Sequence, residues 1–308
     1  MVTLFRWLVR LTVGLILLTL ALVTLAWYFA IRSLPDYDGS YAVQGISAPV
    51  EIVRTTEDVP HIFGQSDRDV FFALGLAHAQ DRLFQMTVLR RAAQGRLAEI
   101  YGMGALPADD LARRLGLYRN ARASLEAQDP EVLDALQAYA AGINAWIEQV
   151  NLGARGRGAP EFFLYPDDIA YWEPADSLAI LKLLAASSSV QLRREVLRAR
   201  LSLAAPERGQ DLVAMPGEPP LPGYAALFPG ARFAAPERGA GPRDWTATLA
   251  GYLAPAAGAS ANGFAAAAGR TAAGGALLAN DPQFALTAPG LWYLARIELG
   301  SGGVIGGT

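Results

Sequence analysis

The 308 residues are 52% hydrophobic by a broad count and carry a net charge of −3. That is enough material for a sizeable core in one to three domains, and a mildly acidic chain without basic blocks gives no basis for a nucleic-acid partner. The absence of cysteine excludes disulfides, thiolate catalysis and Cys-based zinc sites.

Between Arg10 and Arg32 lie twenty-one uncharged residues, LTVGLILLTLALVTLAWYFAI. At the helical rise this is long enough to cross a hydrocarbon core. Arg6 and Arg10 precede the run and Asp36 and Asp38 follow it, so the positive-inside rule puts the N-terminus in the cytoplasm and the rest outside. Trp27 and Tyr28 fall where an interfacial aromatic belt belongs. The expectation is an inner-membrane anchor over residues 11–31, with the body on the periplasmic side. The alternative is a cleaved signal peptide and a soluble periplasmic protein, although no Ala-x-Ala site follows the run.

Residues 33–47 (SLPDYDGSYAVQGIS) read as an exposed polar connector. APVEIVRTTEDVPHIFG, 48–64, reads as a hairpin of two short strands. Asp67 opens a long helical pattern through residue 102, with Val70, Leu74, Ala77, Leu83, Met86 and Leu89 largely at helical spacing. Asp129 and Pro130 form an N-cap and first-turn proline for the helix EVLDALQAYAAGINAWIEQV. Asp176 starts another helix, running through SLAILKLLA toward REVLRARLSLAA. Residues 203–259 change texture to Pro, Gly and Ala, which suits an extended connector. Strand signals then return in NGFAAAA and ALLAND around a Gly274-Gly275 turn. The final GSGGVIGGT lacks the Gly-Lys-Ser/Thr ending of a phosphate loop. The end of the chain reads like the front part of something longer.

Candidate chemistry is sparse. GASANGFAAAAGRT holds one reactive side chain, Ser260, the only Ser or Thr between Thr248 and Thr271. The two histidines, His61 and His78, invite a Ser-His-Asp arrangement with Asp69 or Asp81, but His61 follows Val-Pro in the hairpin and His78 lies within the long helix, where structural roles are expected. Asp81, Arg82, Arg90, Arg91, Arg96 and Glu99 suit pairs three or four residues apart on a solvated helix face. Asp281 reads equally as catalytic support or as a turn residue before Pro282.

Several long stretches in order carry a resemblance. EIVRTTEDVPHIFG and AHAQDRLFQMTVLRRAAQGRLAEIYG, then AYAAGINAWI, EFFLYPDDIAYWEPADSLAILKLLA and GRTAAGGALLANDPQF, are similar to the penicillin acylase family of N-terminal-nucleophile hydrolases. The likeness covers residues 48–308 apart from the Pro/Gly-rich connector. It implies an α+β fold, the four-layer αββα sandwich, of which this chain supplies the N-terminal part behind one transmembrane or signal helix. It also implies a division into anchor (1–32), connector (33–47), mostly helical α-chain (48–202), processed connector (203–259) and the start of a β-chain (260–308).

In that family a precursor is cut and the nucleophile becomes the first residue of the β-chain. Carried over, the cleavage falls between Ala259 and Ser260, and Ser260 is the catalytic nucleophile. A free α-amine titrates near pH 8, so the same residue supplies its own base and no histidine is needed. The order Ala259-Ser260-Ala261-Asn262 departs from the family's Gly-Ser-Asn by a one-residue insertion or a register slip, which displaces Asn262 and Phe264 by one place. The resemblance puts Gln283 and Phe284 in the acyl pocket and makes Glu195 one ligand of a structural calcium, the remaining ligands and the oxyanion-hole Asn lying beyond Thr308. The implied reaction is hydrolysis of a linear amide, with no catalytic cofactor: a β-lactam side chain, an N-acyl homoserine lactone or another N-acyl compound. Its partners are that substrate, the remainder of the β-chain, and the membrane. The rival readings are an inactive fragment serving as an envelope-anchored binding module, and a serine hydrolase with a conventional histidine base.

Overall fold

A run of Leu, Val and Ala unbroken by charge leaves a helix no polar face, and helix α1, Val2–Ser33, is about 48 Å long at 1.5 Å per residue. None of its most apolar window is buried. This computed structural model describes residues 2–153, 158–164, 168–188, 197, 199–201, 261–282 and 289–307.

Strands β1, Glu51–Arg54, and β2, Pro60–Phe63, form the expected antiparallel hairpin, with Ile52 opposite Ile62. Helix α2, Asp67–Gln94, follows. Its N-cap is Ser66, whose hydroxyl accepts from the Asp69 amide at 3.1 Å, so Asp67 is the first helical residue and not the cap. The helix does not continue to residue 102. Gly95 turns left-handed (φ 67°) and donates its amide to the Arg91 and Ala92 carbonyls, which ends α2. A Cβ at Gly95 would lie 2.8 Å from the Asp109 carbonyl oxygen, so packing as well as backbone conformation requires glycine here. After this stop come the short α3, Ala98–Tyr101, then α4, Leu106–Leu115, and α5, Leu117–Leu125, two helices the sequence reading left unassigned.

Helix α6, Pro130–Asn151, starts where expected, although Asp129 makes no side-chain cap bond. Helix α7, Pro174–Ser188, starts two residues before Asp176. Asp176 lies in its first turn and accepts the Glu173 amide at 2.8 Å, the reach-back half of a capping box. The connector 33–47 is not a free polar tether. Ser33 is buried, the Tyr41 ring stands edge-on to Trp146, and Asp69 accepts both the amide and the hydroxyl of Ser47.

Helices α2 and α6 cross closely because both present glycine at the contact. A Cβ on Gly75 would lie 2.1 Å from the Tyr139 carbonyl oxygen, and one on Gly142 would lie 1.8 Å from that of Phe72. Around this crossing Leu83, Met86, Ile143, Trp146 and Ile147 bury with Phe162, Ile169 and Trp172. A second apolar cluster joins the end of α2 to α4, α5 and α7.

Beyond the undescribed stretch, β3, Ala261–Ala266, and β4, Leu277–Pro282, pair antiparallel as a two-stranded sheet. Strand β5, Leu294–Leu299, returns to the helical body: it runs parallel to β2 and antiparallel to β6, Gly302–Gly307, giving the order β1-β2-β5-β6. The glycine run at the end is therefore strand. The make-up is the mixed helix and sheet expected, with the apolar helix in front.

Candidate functional site

The residues carried over by resemblance, Ala259, Ser260, Gln283, Phe284 and Glu195, all lie outside the described residues. What is described is the hairpin between them. Its register ends on Ala261 opposite Pro282, followed by Asn262 opposite Asp281. In sequence, Ser260 precedes Ala261 and Gln283 follows Pro282. Residues alternate across a strand, so Asn262 and Phe264 share one face with Ala279, and Gly263 and Asn280 the other. Ala261 is the first paired residue of β3.

A polar cluster, buried at its Arg54–Asp81 centre, joins the segment before β5 to the helical body. Asp81, on α2, receives the guanidinium of Arg54 from β1 at 2.7 and 3.2 Å. The same carboxylate accepts the Tyr37 hydroxyl at 2.7 Å and the Tyr293 hydroxyl at 2.6 Å. The Arg54 guanidinium also lies 4.0 Å over the Tyr37 ring. The Arg54 and Asp81 side chains are only 10% and 13% exposed. Burial, then the Asp81 carboxylate, pushes the Tyr293 phenol far up, so it stays protonated and donates. Sequence spacing suggested a solvated helix face for Asp81; instead its partners come from the connector, the hairpin and the segment before β5. No local pattern could have joined residues 37, 54, 81 and 293.

One turn earlier on α2, His78 stacks on Tyr293 with ring centres 4.3 Å apart and planes 8° from parallel. Its Nδ1 shares a 2.6 Å hydrogen bond with the Tyr139 hydroxyl. Burial, reinforced by Arg82, draws the imidazole pKa down to about 3. A ring so held is a poor acceptor for a serine proton, and its role is structural, as its place within the helix suggested. His61, in β2, pairs with Val53 on one side and Arg296 on the other.

A cleft of about 890 Å³ opens over this cluster, between the end of α1, α2 and the segment 289–294. Tyr37, Arg54, Asp81, Gln85 and Trp292 lie on its wall, and Gln85 donates to the Gly290 carbonyl at 3.1 Å.

The other helix charges divide. Arg96 and Glu99 form the i,i+3 pair anticipated, at 2.7 Å and half exposed. Arg90 is buried: it donates to the carbonyls of Ala170 and Tyr171 at 3.0 Å and lies 3.6 Å from Asp176. Gln94 completes the arrangement on Asp176 at 3.0 Å. Burial pushes the Asp176 carboxyl up, opposed by its hydrogen bond from Glu173 and by Arg90. Two asparagines on α6, seven residues apart and so on one face, hold the extended strip before α7: Asn144 both donates to and accepts from Trp172, and Asn151 does the same with Ile169. Among the described residues no group of three or more His, Asp or Glu could hold a metal ion.

Residues 49–308 match the family described as penicillin amidase. Penicillin acylase 2 proenzyme of Pseudomonas sp. (strain SE83) is 38% identical over 270 residues, 84% of this chain and 33% of that protein. Acyl-homoserine lactone acylase QuiP of Pseudomonas aeruginosa is 32% identical over 277 residues, 86% of this chain and 31% of that protein. A solved structure of thermostable penicillin G acylase from Alcaligenes faecalis is 26% identical with a TM-score of 0.44, covering 56% of this chain and 97% of that one. The chain spans about a third of the length of the two curated relatives named here.

Proposed function

The chain belongs to the penicillin amidase family, and on that premise we propose that it is the N-terminal part of a precursor that cuts itself before Ser260 and then hydrolyses a linear amide. The Ser260 hydroxyl attacks the Ala259 carbonyl, the peptide bond becomes an ester as the nitrogen takes up the hydroxyl proton, and water cleaves the ester. The products are a carboxylate on Ala259 and a free amine on Ser260. In the mature protein that amine accepts the hydroxyl proton as the oxygen attacks the substrate carbonyl. The proton passes to the leaving amine, and water releases the acid from the acyl-enzyme.

The observation that carries this reading is the start of β3 at Ala261, one residue after Ser260, within a family match that runs unbroken through both. A strand fixes the backbone just behind the nucleophile, which is where an N-terminal nucleophile needs rigidity. Gln283 and Phe284 follow Pro282, the register partner of Ala261, and are assigned to the acyl pocket. β-Lactam side-chain amides and N-acyl homoserine lactones are the substrate classes proposed, after the relatives' names. Glu195 would give one oxygen to a structural calcium whose other ligands come from elsewhere in the protein. The protein is held to the periplasmic face of the inner membrane by α1.

Mass spectrometry of the full-length protein tests the reaction. A new N-terminus at Ser260, absent in Ser260→Ala together with amide hydrolysis, is the expected result. An intact chain that still turns over would require a conventional base, and an intact, inert chain would mark a binding module. For the metal, calcium should raise the melting temperature of the full-length protein, and Glu195→Ala should remove that rise.

A further inference from the structure

We propose that the turn Pro160–Phe163 with Leu164 rests in the outer interface of the bilayer beside α1, so that the body lies against the membrane and does not swing on a tether. The proposal rests on the reading of α1 as a retained anchor. Trp7 and Tyr28, each carrying an arginine over its ring (Arg10 at 5.7 Å, Arg32 at 5.3 Å), mark the two ends of the apolar helix. They are 21 residues apart, about 31 Å along a helix, which matches a hydrocarbon core of roughly 30 Å. Aromatic rings and arginines at such ends sit at the headgroup level.

The body meets the helix at that level. The Phe163 ring is 4.8 Å from the ring of Phe29, the neighbour of Tyr28. Phe163 therefore shares the depth of the outer aromatic belt, and the turn that carries it cannot stand far above the surface. Leu164 follows with 77% of its surface uncovered, and Leu152, at the end of α6 against which this turn packs, is equally bare. Water leaves such leucines uncompensated; an interface of headgroups and acyl carbons takes them up. Glu161, exposed on the same turn, keeps the contact in the interface and out of the hydrocarbon.

The connector supports the same placement independently. Helix α1 ends at Ser33, itself buried, and only four residues later the Tyr37 hydroxyl is fixed to Asp81. Four residues reach at most about 14 Å, so α2 is held close to the end of the helix. A slack linker would have left the Phe29–Phe163 contact without such support.

The chain has no cysteine, so single substitutions give unique labelling points. The full-length protein would be reconstituted in phosphatidylcholine–phosphatidylglycerol vesicles with an environment-sensitive fluorophore at Leu164→Cys, Leu18→Cys or Val132→Cys. Residue 18 lies mid-helix in α1, and residue 132 at the far end of α6 from Leu152. Lipids bearing a nitroxide near the headgroup should quench position 164 several-fold more than position 132 and shift its emission to the blue. Lipids bearing the nitroxide deep on the acyl chain should quench position 18 strongly. That result, with 164 no more quenched than 132 by the headgroup probe, overturns the interfacial turn while leaving the anchor intact. No quenching at 18 by the deep probe overturns the anchor and this proposal with it. Replacing both Phe163 and Leu164 by Ser should free position 152, labelled as Leu152→Cys, from quenching while position 18 is unchanged.

Discussion

The helical body and the β3–β4 hairpin are both rich in alanine and apolar side chains, yet they end up opposite in burial. In the body, two glycines let α2 and α6 approach until their backbones touch, and Trp146, Ile143 and Leu83 close over the seam. In the hairpin, Phe264 is 70% exposed and Leu278 82%. Strand β5 shows what separates them: it pairs with β2, and its Ala295 and the preceding Tyr293 are buried with Val70 and Leu74 of α2. A helix pair completes its own dry face. A two-stranded sheet is marginal until another layer covers it, so the same composition gives a core in one place and an open face in the other.

The contrast is broken most severely at the helix crossing. Gly142→Ala places a methyl 1.8 Å from the Phe72 carbonyl oxygen, where backbone must move. A loss of more than about 3 kcal/mol is expected in chemical denaturation. Gly263→Ala in β3, whose nearest atom would be 3.9 Å away, should leave the midpoint almost unchanged. Equal effects from the two would refute the difference in packing.

Next in size is the joint between the regions. Asp81→Asn removes the charge that Arg54 faces while both remain largely buried, and a loss of about 3 kcal/mol is expected. The paired replacement Arg54→Met with Asp81→Leu should recover a large part of it. If the protein is cut before Ser260, Asp81→Asn should also speed separation of the two chains in dilute guanidinium.

The pH dependence follows from His78. Its folded pKa is depressed to about 3 from an ordinary 6.5, so between these values the unfolded chain binds the extra proton. The stabilisation is complete above pH 6.5 and is lost as the pH falls toward 3, at about 1.4 kcal/mol per unit. Denaturant midpoints measured from pH 7 to 4 should show this slope, and His78→Gln should flatten it by one proton. The smallest effect belongs to the open hairpin: Phe264→Ser should change the stability of this chain by less than about 0.5 kcal/mol.

Much of the local structure was legible. Val-Pro-His between two β-rich runs gave the hairpin, Asp129-Pro130 gave the start of α6, and Gly274-Gly275 gave the turn between β3 and β4. The helical pattern from residue 67 was right until Gly95, where a left-handed backbone outweighs a periodicity that continues past it. Residues 103–128 gave no clear signal although α4 and α5 are there, buried by α2 and α7 more than by propensity. Ser260 stands out in line as a lone hydroxyl in an Ala/Gly run, and it lies outside the described residues. The setting of Asp81 was not legible, because each of its partners comes from a different segment.

The sequence by itself determined the apolar helix, the first hairpin, the starts of α2 and α6 and the family, since these depend on residues near one another or on motifs read in line. Only the tertiary structure decided that Tyr37, Arg54, His78, Asp81 and Tyr293 form one cluster, and that Arg90 answers Asp176. A charge is placed by whatever desolvates and pairs it, and those groups lie up to 212 residues away along the chain. The same reasoning explains why the connector is pinned at Tyr37 and Ser47, whose donors meet the carboxylates of Asp81 and Asp69.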